Sequence, residues 1–241
     1  MKVLFLLAIS LCLSPSAALS TELTFSAVDS GRNQKVAARV LNHIYQKIGY
    51  SIVIQYAPAK RAEFLAMTGR TDGEIMRIWD YGVNKTELIR VPTPYYALKT
   101  MVFTRTDRNI LISSIADLKN FHLAKIRGIK HTDAITKDIE GVYEFESTTQ
   151  MMKFLLSGRA DAALTSLNDG LLTLKKMNIS NIKPNSRPLV IRYLYHYIHK
   201  KNAHLVPIID QTFKDMQTSG ELQRLFKEKG RELDHEALLS Q

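Results

Sequence analysis

One short phrase occurs twice in this 241-residue chain and constrains its fold more than any other feature. Phe64-Leu65, followed by Gly69-Arg70-Thr71-Asp72-Gly73-Glu74-Ile75-Met76, is echoed by Phe154-Leu155, followed by Gly158-Arg159-Ala160-Asp161-Ala162-Ala163-Leu164-Thr165. Each copy reads as a helix closed by glycine, a tight polar turn and a short strand. Glycine just past a helix takes the left-handed conformation without a Cβ clash. The two glycines lie 89 residues apart, too far for a solenoid repeat. The spacing predicts two similar α/β lobes on two sheets, each holding one helix–Gly-Arg-x-Asp–strand unit.

The intervening pattern agrees with this plan. Leu23–Val28 reads as a first strand, and Val36, Val40, Leu41, Ile44 and Ile48 recur at helical spacing up to Gly49, with Ser30 or Asn33 as the cap. Ser51–Tyr56 is a second strand, Pro58 opens the helix Ala59–Met67, and Gly73–Ile78 is a third strand. Strand–helix alternation of this kind argues a mostly parallel sheet with right-handed crossovers. The second half repeats it: strand Phe121–Ile126, helix Thr132–Ile139, strand Val142–Phe145, a helix from Ser147 with Gln150 as its capping-box partner, and strand Asp161–Thr165. Helices Asn168–Met177, Ala203–Thr218 and Glu221–Lys229 complete the count. Two β-rich segments, Leu98–Thr104 and Val190–Ile198, carry the chain out and back, which predicts a double-stranded hinge. The expected limits are residues 21–98 with 193–241 for lobe 1 and 103–192 for lobe 2.

Residues 1–20 read as a cleaved signal peptide: a positive start at Lys2, an apolar run Val3–Leu13, and small residues ending at Ser20. That run is shorter than the roughly 20 residues a bilayer span requires. Bulky Leu11 in front of Cys12 disfavours lipidation, and the remaining chain has no cysteine. A core rather than disulfides must therefore stabilise it. Without Lys2 the formal charge of +10 falls to +9. The basic residues are scattered, which argues against nucleic acid and leaves some of the surplus to line an anion site. His196-x-x-His199, with His204 beyond, looks metal-like, but the first two point to opposite faces of a strand. No metal or cofactor is expected.

The order and spacing of these motifs resemble those of the periplasmic substrate-binding proteins of ABC-type importers, in particular the polar amino-acid group. The carriers are Gly69-Arg70-Thr71-Asp72-Gly73, Thr93-Pro94-Tyr95, Arg127-Gly128 opening a helix, Gly158-Arg159-Ala160-Asp161-Ala162, and Ser219-Gly220-Glu221-Leu222. The resemblance spans the mature chain. It implies a monomeric, periplasmic, two-lobed α/β protein that closes on a small anionic or zwitterionic solute and delivers it to a membrane permease. A ligand-presenting partner of a membrane sensor, or a dehydratase-like enzyme on the same scaffold, are the alternatives. The departures bear on the ligand. Tyr81–Glu87 carries Lys85 and lacks the family's arginine, Ile129 replaces a threonine, and Thr165-Ser166 stands where an aspartate takes an amino group.

Ligands of open parallel sheets sit outside the carboxyl ends of the strands. That rule nominates Asp29, Tyr56, Arg61, Arg77 and Trp79 in lobe 1, Tyr95 near the hinge, and Arg127, Gly128, His131, Thr132, Thr165 and Ser166 in lobe 2. Arg77 is expected to be the principal anion-binding residue, with little role in stability, and Arg127-Gly128 to use a helix N-terminus. No residue is expected to be catalytic; among Glu63, Asp72 and Glu74, only Glu74 falls near a strand end.

Overall fold

The computed structural model describes residues 22–29 and 31–239, and their side chains except at 31 and 234–239. The signal-peptide reading, Cys12 and Ser30 lie outside the described residues. The elements run β1 (Glu22–Val28), α1 (Gly31–Lys47), β2 (Ser51–Ala57), α2 (Ala59–Met67), β3 (Gly73–Ile78), β4 (Leu88–Arg90), β5 (Tyr96–Arg105) and β6 (Leu123–Ile126). They continue α3 (Lys130–Thr136), β7 (Val142–Phe145), α4 (Thr148–Leu156), β8 (Ala162–Ser166), α5 (Leu167–Lys176), β9 (Ile182–Pro184), β10 (Val190–His199), α6 (Leu205–Thr218) and α7 (Glu221–Leu239).

β2, β1 and β3 pair in parallel, as do β7, β6 and β8. Between these triplets run β5 and β10, antiparallel to each other over Tyr96–Thr100 and Val190–Leu194. β10 also pairs with β3, and β5 with β8. The expectation of two separate sheets is therefore corrected: one hydrogen-bonded path, β2-β1-β3-β10-β5-β8-β6-β7, runs through both halves. The crossing strands pair with each other and with both triplets, so their backbone groups are satisfied without a break.

The apolar interior, by contrast, is divided. One cluster joins β1, α1, α6 and α7 through Phe25, Val40, Ile44, Phe213 and Leu225. Two others, around Met101, Phe103, Met151 and Leu155 and around Val102, Leu118 and Leu123, use only residues of the second half. Burial of each such side chain contributes about 1.5–3 kcal/mol.

The repeated phrase has a structural cause. Gly69 and Gly158 sit at φ +69° and +75°, ending α2 and α4 in the left-handed region. The following aspartates do one job twice. Asp72 Oδ2 accepts from the Thr24 amide at 2.7 Å, and Asp161 Oδ2 accepts from the His122 amide at 2.9 Å. Each carboxylate thus fastens the start of the neighbouring parallel strand to the turn that feeds its own.

Four local expectations are revised. α1 begins at Gly31, so Asn33 lies inside its first turn rather than capping it; Arg32 Nη2 holds that turn to the Gly230 carbonyl at 3.0 Å. The Ser147 hydroxyl accepts from the Gln150 amide at 3.3 Å, which is the forward half of the expected capping box. α3 has only seven residues and starts at Lys130. α7 runs ten residues past Lys229, to Leu239.

Candidate ligand-binding site

The carboxyl ends of β3 and β8 both meet the crossing strands, at Arg77–Ile78 beside Leu194–Tyr195 and at Ser166 beside Thr100. Polar groups from the two halves converge there. The Tyr96 hydroxyl, on β5, donates to Asn33 Oδ1 of α1 at 3.1 Å and accepts from Asn168 Nδ2 of α5 at 3.3 Å. Burial, with Asp169 adding to it, holds the Tyr96 phenol above its ordinary pKa, although Asn168 opposes. A cavity of about 790 Å³ opens beside this bridge, walled by α1, α5, α7 and both crossing strands. A smaller one of about 150 Å³ joins Tyr96 and Lys99 to Ser166 and Asn168. The larger volume suits a drug-sized ligand.

The nominated residues of lobe 1 are distributed otherwise than expected. Arg77 donates through Nε and Nη2 (3.1 Å) to the Glu74 carboxylate and through Nη2 to the Ala59 carbonyl (3.0 Å). Tyr81 completes the arrangement, its hydroxyl donating to Glu74 at 2.8 Å. Burial disfavours the Arg77 charge, but Glu74 outweighs it and holds the guanidinium above its ordinary pKa. Burial and then Glu74 raise the Tyr81 phenol. The expectation that Arg77 has little structural role is corrected: it neutralises a carboxylate that is 1% exposed.

Arg61 is exposed, its guanidinium 5.7 Å from the centroid of the Phe64 ring. Asp29 is exposed, with its amide bonded to Ala57 at the end of β2. Tyr56 is exposed, and its phenol is raised mainly by partial burial, with Arg39 opposing. Trp79 is half exposed and carries Arg90 over its ring. Tyr95 packs largely into the core, stacked on Phe213 at 5.0 Å with its hydroxyl on the Ile75 carbonyl, and also lines the cavity. Its neighbour Tyr96 lines the same cavity and carries the bridging hydroxyl.

In lobe 2, Arg127 is exposed and paired with Glu144 and Glu146. Gly128, at φ +73°, lets the chain turn into α3, but a seven-residue helix concentrates little dipole there. Thr132 is buried with its hydroxyl on the Ile129 carbonyl, and Thr165 is buried in β8. Ser166 is the side-chain cap of α5, accepting from the Asp169 amide and donating to the Asp169 carboxylate at 2.6 Å. His131 does reach the hinge: Nδ1 lies 2.8 Å from Thr100 Oγ1. Burial lowers its pKa, Asp169 opposes, and the charge of Arg192 lowers it further.

Arg192 was not nominated, yet its Nε is buried without a hydrogen-bond partner. Among the described residues it has no ion-pairing carboxylate. The available signal was a lone arginine in the apolar strand LVIRYLYHYIH, where a charge is out of place unless something meets it. Lys99 and the α7 cations Lys227 and Arg231 were also passed over. The His196 nitrogens, considered for metal, are both engaged, with Tyr45 and with the Glu74 carbonyl.

No family model matches the chain. An uncharacterised protein of Shewanella oneidensis is 28% identical over 200 residues, covering 79% of this chain and 74% of its own. Among solved structures, a histidine kinase sensor domain with similarity to periplasmic binding proteins superposes with a TM-score of 0.59 at 14% identity, over 87% of this chain and 95% of its own. The GluR0 ligand-binding core in complex with L-glutamate gives 0.64 at 14% identity, over 88% and 99%. The substrate-binding protein of an amino-acid ABC transporter gives 0.53 at 19% identity, over 86% and 98%. The chain has the two-lobed periplasmic-binding-protein fold.

Proposed function

We propose that this chain is an extracytoplasmic solute-binding protein whose lobes, residues 21–98 with 193–241 and residues 103–192, close on a small anionic or zwitterionic solute. The observation that supports it best is the Tyr96 bridge: one hydroxyl on a crossing strand engages Asn33 in one half and Asn168 in the other, beside a cavity walled by both. A solute that displaces or joins those bonds interacts differently with open and closed states, and only such a difference moves the equilibrium. The GluR0 core and the transporter substrate-binding protein are fold relatives that bind solutes, which is compatible with a binding role. Arg192 and His131 are the groups best placed to receive an anion from the lobe 2 side, because neither has a carboxylate partner. The partner is a permease of an ABC-type importer or, as in the kinase sensor domain, a membrane sensor. Among the described residues no helix is long and apolar enough to cross a membrane.

A thermal-shift and calorimetric screen of amino acids and small carboxylates tests this reading. A solute at 100 times its Kd stabilises the native state by about 2.7 kcal/mol. One saturable ligand, recovered chemically unchanged, is the expected result. A substrate consumed to a product of different mass would establish an enzyme instead, and silence across the screen would remove the reading.

A further inference from the structure

The cavity between α5 and α7 has an electrostatic character that ordinary amino-acid recognition does not require. Besides Arg32 of α1, which donates to the Gly230 carbonyl, four further cations line it: Lys99 from β5, Lys175 from α5, and Lys227 and Arg231 from α7. Among the described residues no Asp or Glu lines it, and none of these four is paired with a carboxylate. Bringing like charges from two helices and a strand around one concavity raises its potential and focuses counter-charge there. The walls are also apolar. Tyr193 and Leu171 are 54% and 45% exposed at this cavity, unusual for side chains of their size. Phe226 adds a ring that rests on Tyr96 at 4.9 Å.

A plain α-amino acid presents one carboxylate and one ammonium, and the ammonium would face these positive side chains with no acid among the described lining residues to receive it. Exposed lysines place separate point charges rather than one bidentate fork, so they match several anionic groups spread over one molecule. From these observations we propose that the solute is a small organic polyanion, carrying at least two negative groups on an apolar or planar body. Its charges would meet Lys99, Lys175, Lys227 and Arg231, and its body would lie on Tyr193 and Leu171. The inference rests on the solute-binding reading and narrows its ligand class. Because α5 and α7 belong to opposite halves, a ligand that neutralises both walls also lowers the repulsion that opposes their approach.

The test is calorimetric titration of the mature chain with phthalate, citrate, glutamate, acetate and lysine at two salt concentrations. Wild type is expected to bind phthalate or citrate at least tenfold more tightly than glutamate or acetate, with affinity falling as salt rises. The double variant Lys99→Gln/Lys227→Gln should lose that affinity tenfold or more while melting like wild type. Lys137→Gln, an exposed change outside the cavity, should bind as wild type does. If Lys137→Gln weakens binding equally, the effect is diffuse charge and the site is refuted. If glutamate or lysine binds tightest and ignores the double variant, the polyanion assignment falls while the solute-binding reading stands. Binding of no compound in the panel would overturn both.

Discussion

The guanidinium of Arg77 closes on the carboxylate of Glu74, three residues earlier on the same strand, and the pair is buried beside Tyr81. Residues three apart on a strand point to opposite faces of a flat sheet. The β3–β10 pairing steps from Tyr195 opposite Arg77 to Tyr197 opposite Glu74, two residues on β10 against three on β3. The extra residue therefore lies in β3, where this irregularity lets the two side chains meet.

Replacing Arg77 with Ala leaves the Glu74 carboxylate buried and uncompensated. Breaking one partner of a buried pair costs about 3–5 kcal/mol. Denaturant unfolding is expected to show that loss in Arg77→Ala. Glu74→Gln/Arg77→Met, which removes both charges, should recover most of it. If Arg77→Ala unfolds with wild-type stability but loses solute, the residue is a ligand group after all.

His196 offers a pH signature. Its Nδ1 bonds to the Glu74 carbonyl at 2.8 Å, and a carbonyl only accepts, so Nδ1 carries the proton and Nε2 accepts from the Tyr45 hydroxyl at 2.8 Å. Burial pushes the imidazole pKa down to about 4, against the ordinary 6.5, with the Glu74 carbonyl opposing. The unfolded chain therefore binds more protons between these values. The neutral ring's full contribution is present above about pH 6.5 and is lost as pH falls towards 4, on the order of 3 kcal/mol. His131, also shifted down by burial, acts in the same direction. Stability measured from pH 7 to 4 should fall in wild type and fall less in His196→Gln. Parallel curves would place the acid sensitivity elsewhere.

The two repeat aspartates differ in what else they hold. Asp72 Oδ1 also accepts from Asn202 at 2.7 Å and pairs with Lys201 at 3.0 Å, which ties the end of β10 to the turn. Asp72→Ala is therefore expected to cost more than Asp161→Ala, each within about 1–3 kcal/mol for lost bonds to a charged group. At this chain length each kcal/mol moves Tm by about 2–4 °C. Equal losses, or a larger loss at Asp161, would contradict the assignment of those contacts to stability.

Secondary structure was legible because its signals are local: Gly69 and Gly158 ended helices and the repeated aspartates marked strand starts. The two-lobed plan was legible from the repeat spacing. Strand continuity through β5 and β10 was not, because pairing partners are a tertiary fact that alternation does not encode. The site was read less well for the same reason. Arg77 looks like a ligand group until Glu74 is placed beside it, and Tyr95 and Tyr96 are indistinguishable until one meets Phe213 and the other Asn33. Lys227 and Arg231 carry no site signal in the sequence, Arg231 lying beyond the expected helix end at Lys229, since the cavity they line exists only once α7 is packed against α1 and faces α5.

Trp79, the single tryptophan, gives an optical test of lobe movement. Its ring packs edge-on to Tyr195 at 5.4 Å, and the Arg90 guanidinium lies 3.0 Å from its centroid. Tyr195 belongs to the crossing strand β10, so rearrangement of the hinge acts on the indole through that ring. Closure would also carry the Arg127–Thr132 loop of the second lobe towards Trp79 and remove water from its exposed half. Emission should therefore change on solute binding and saturate at one ligand per chain. Arg90→Ala, which uncovers the ring face, should shift the unliganded spectrum to the red while leaving the calorimetric Kd within threefold of wild type. An enzyme would give a transient that decays as substrate is consumed. Tight calorimetric binding with an unchanged spectrum would show that the hinge does not move against Trp79.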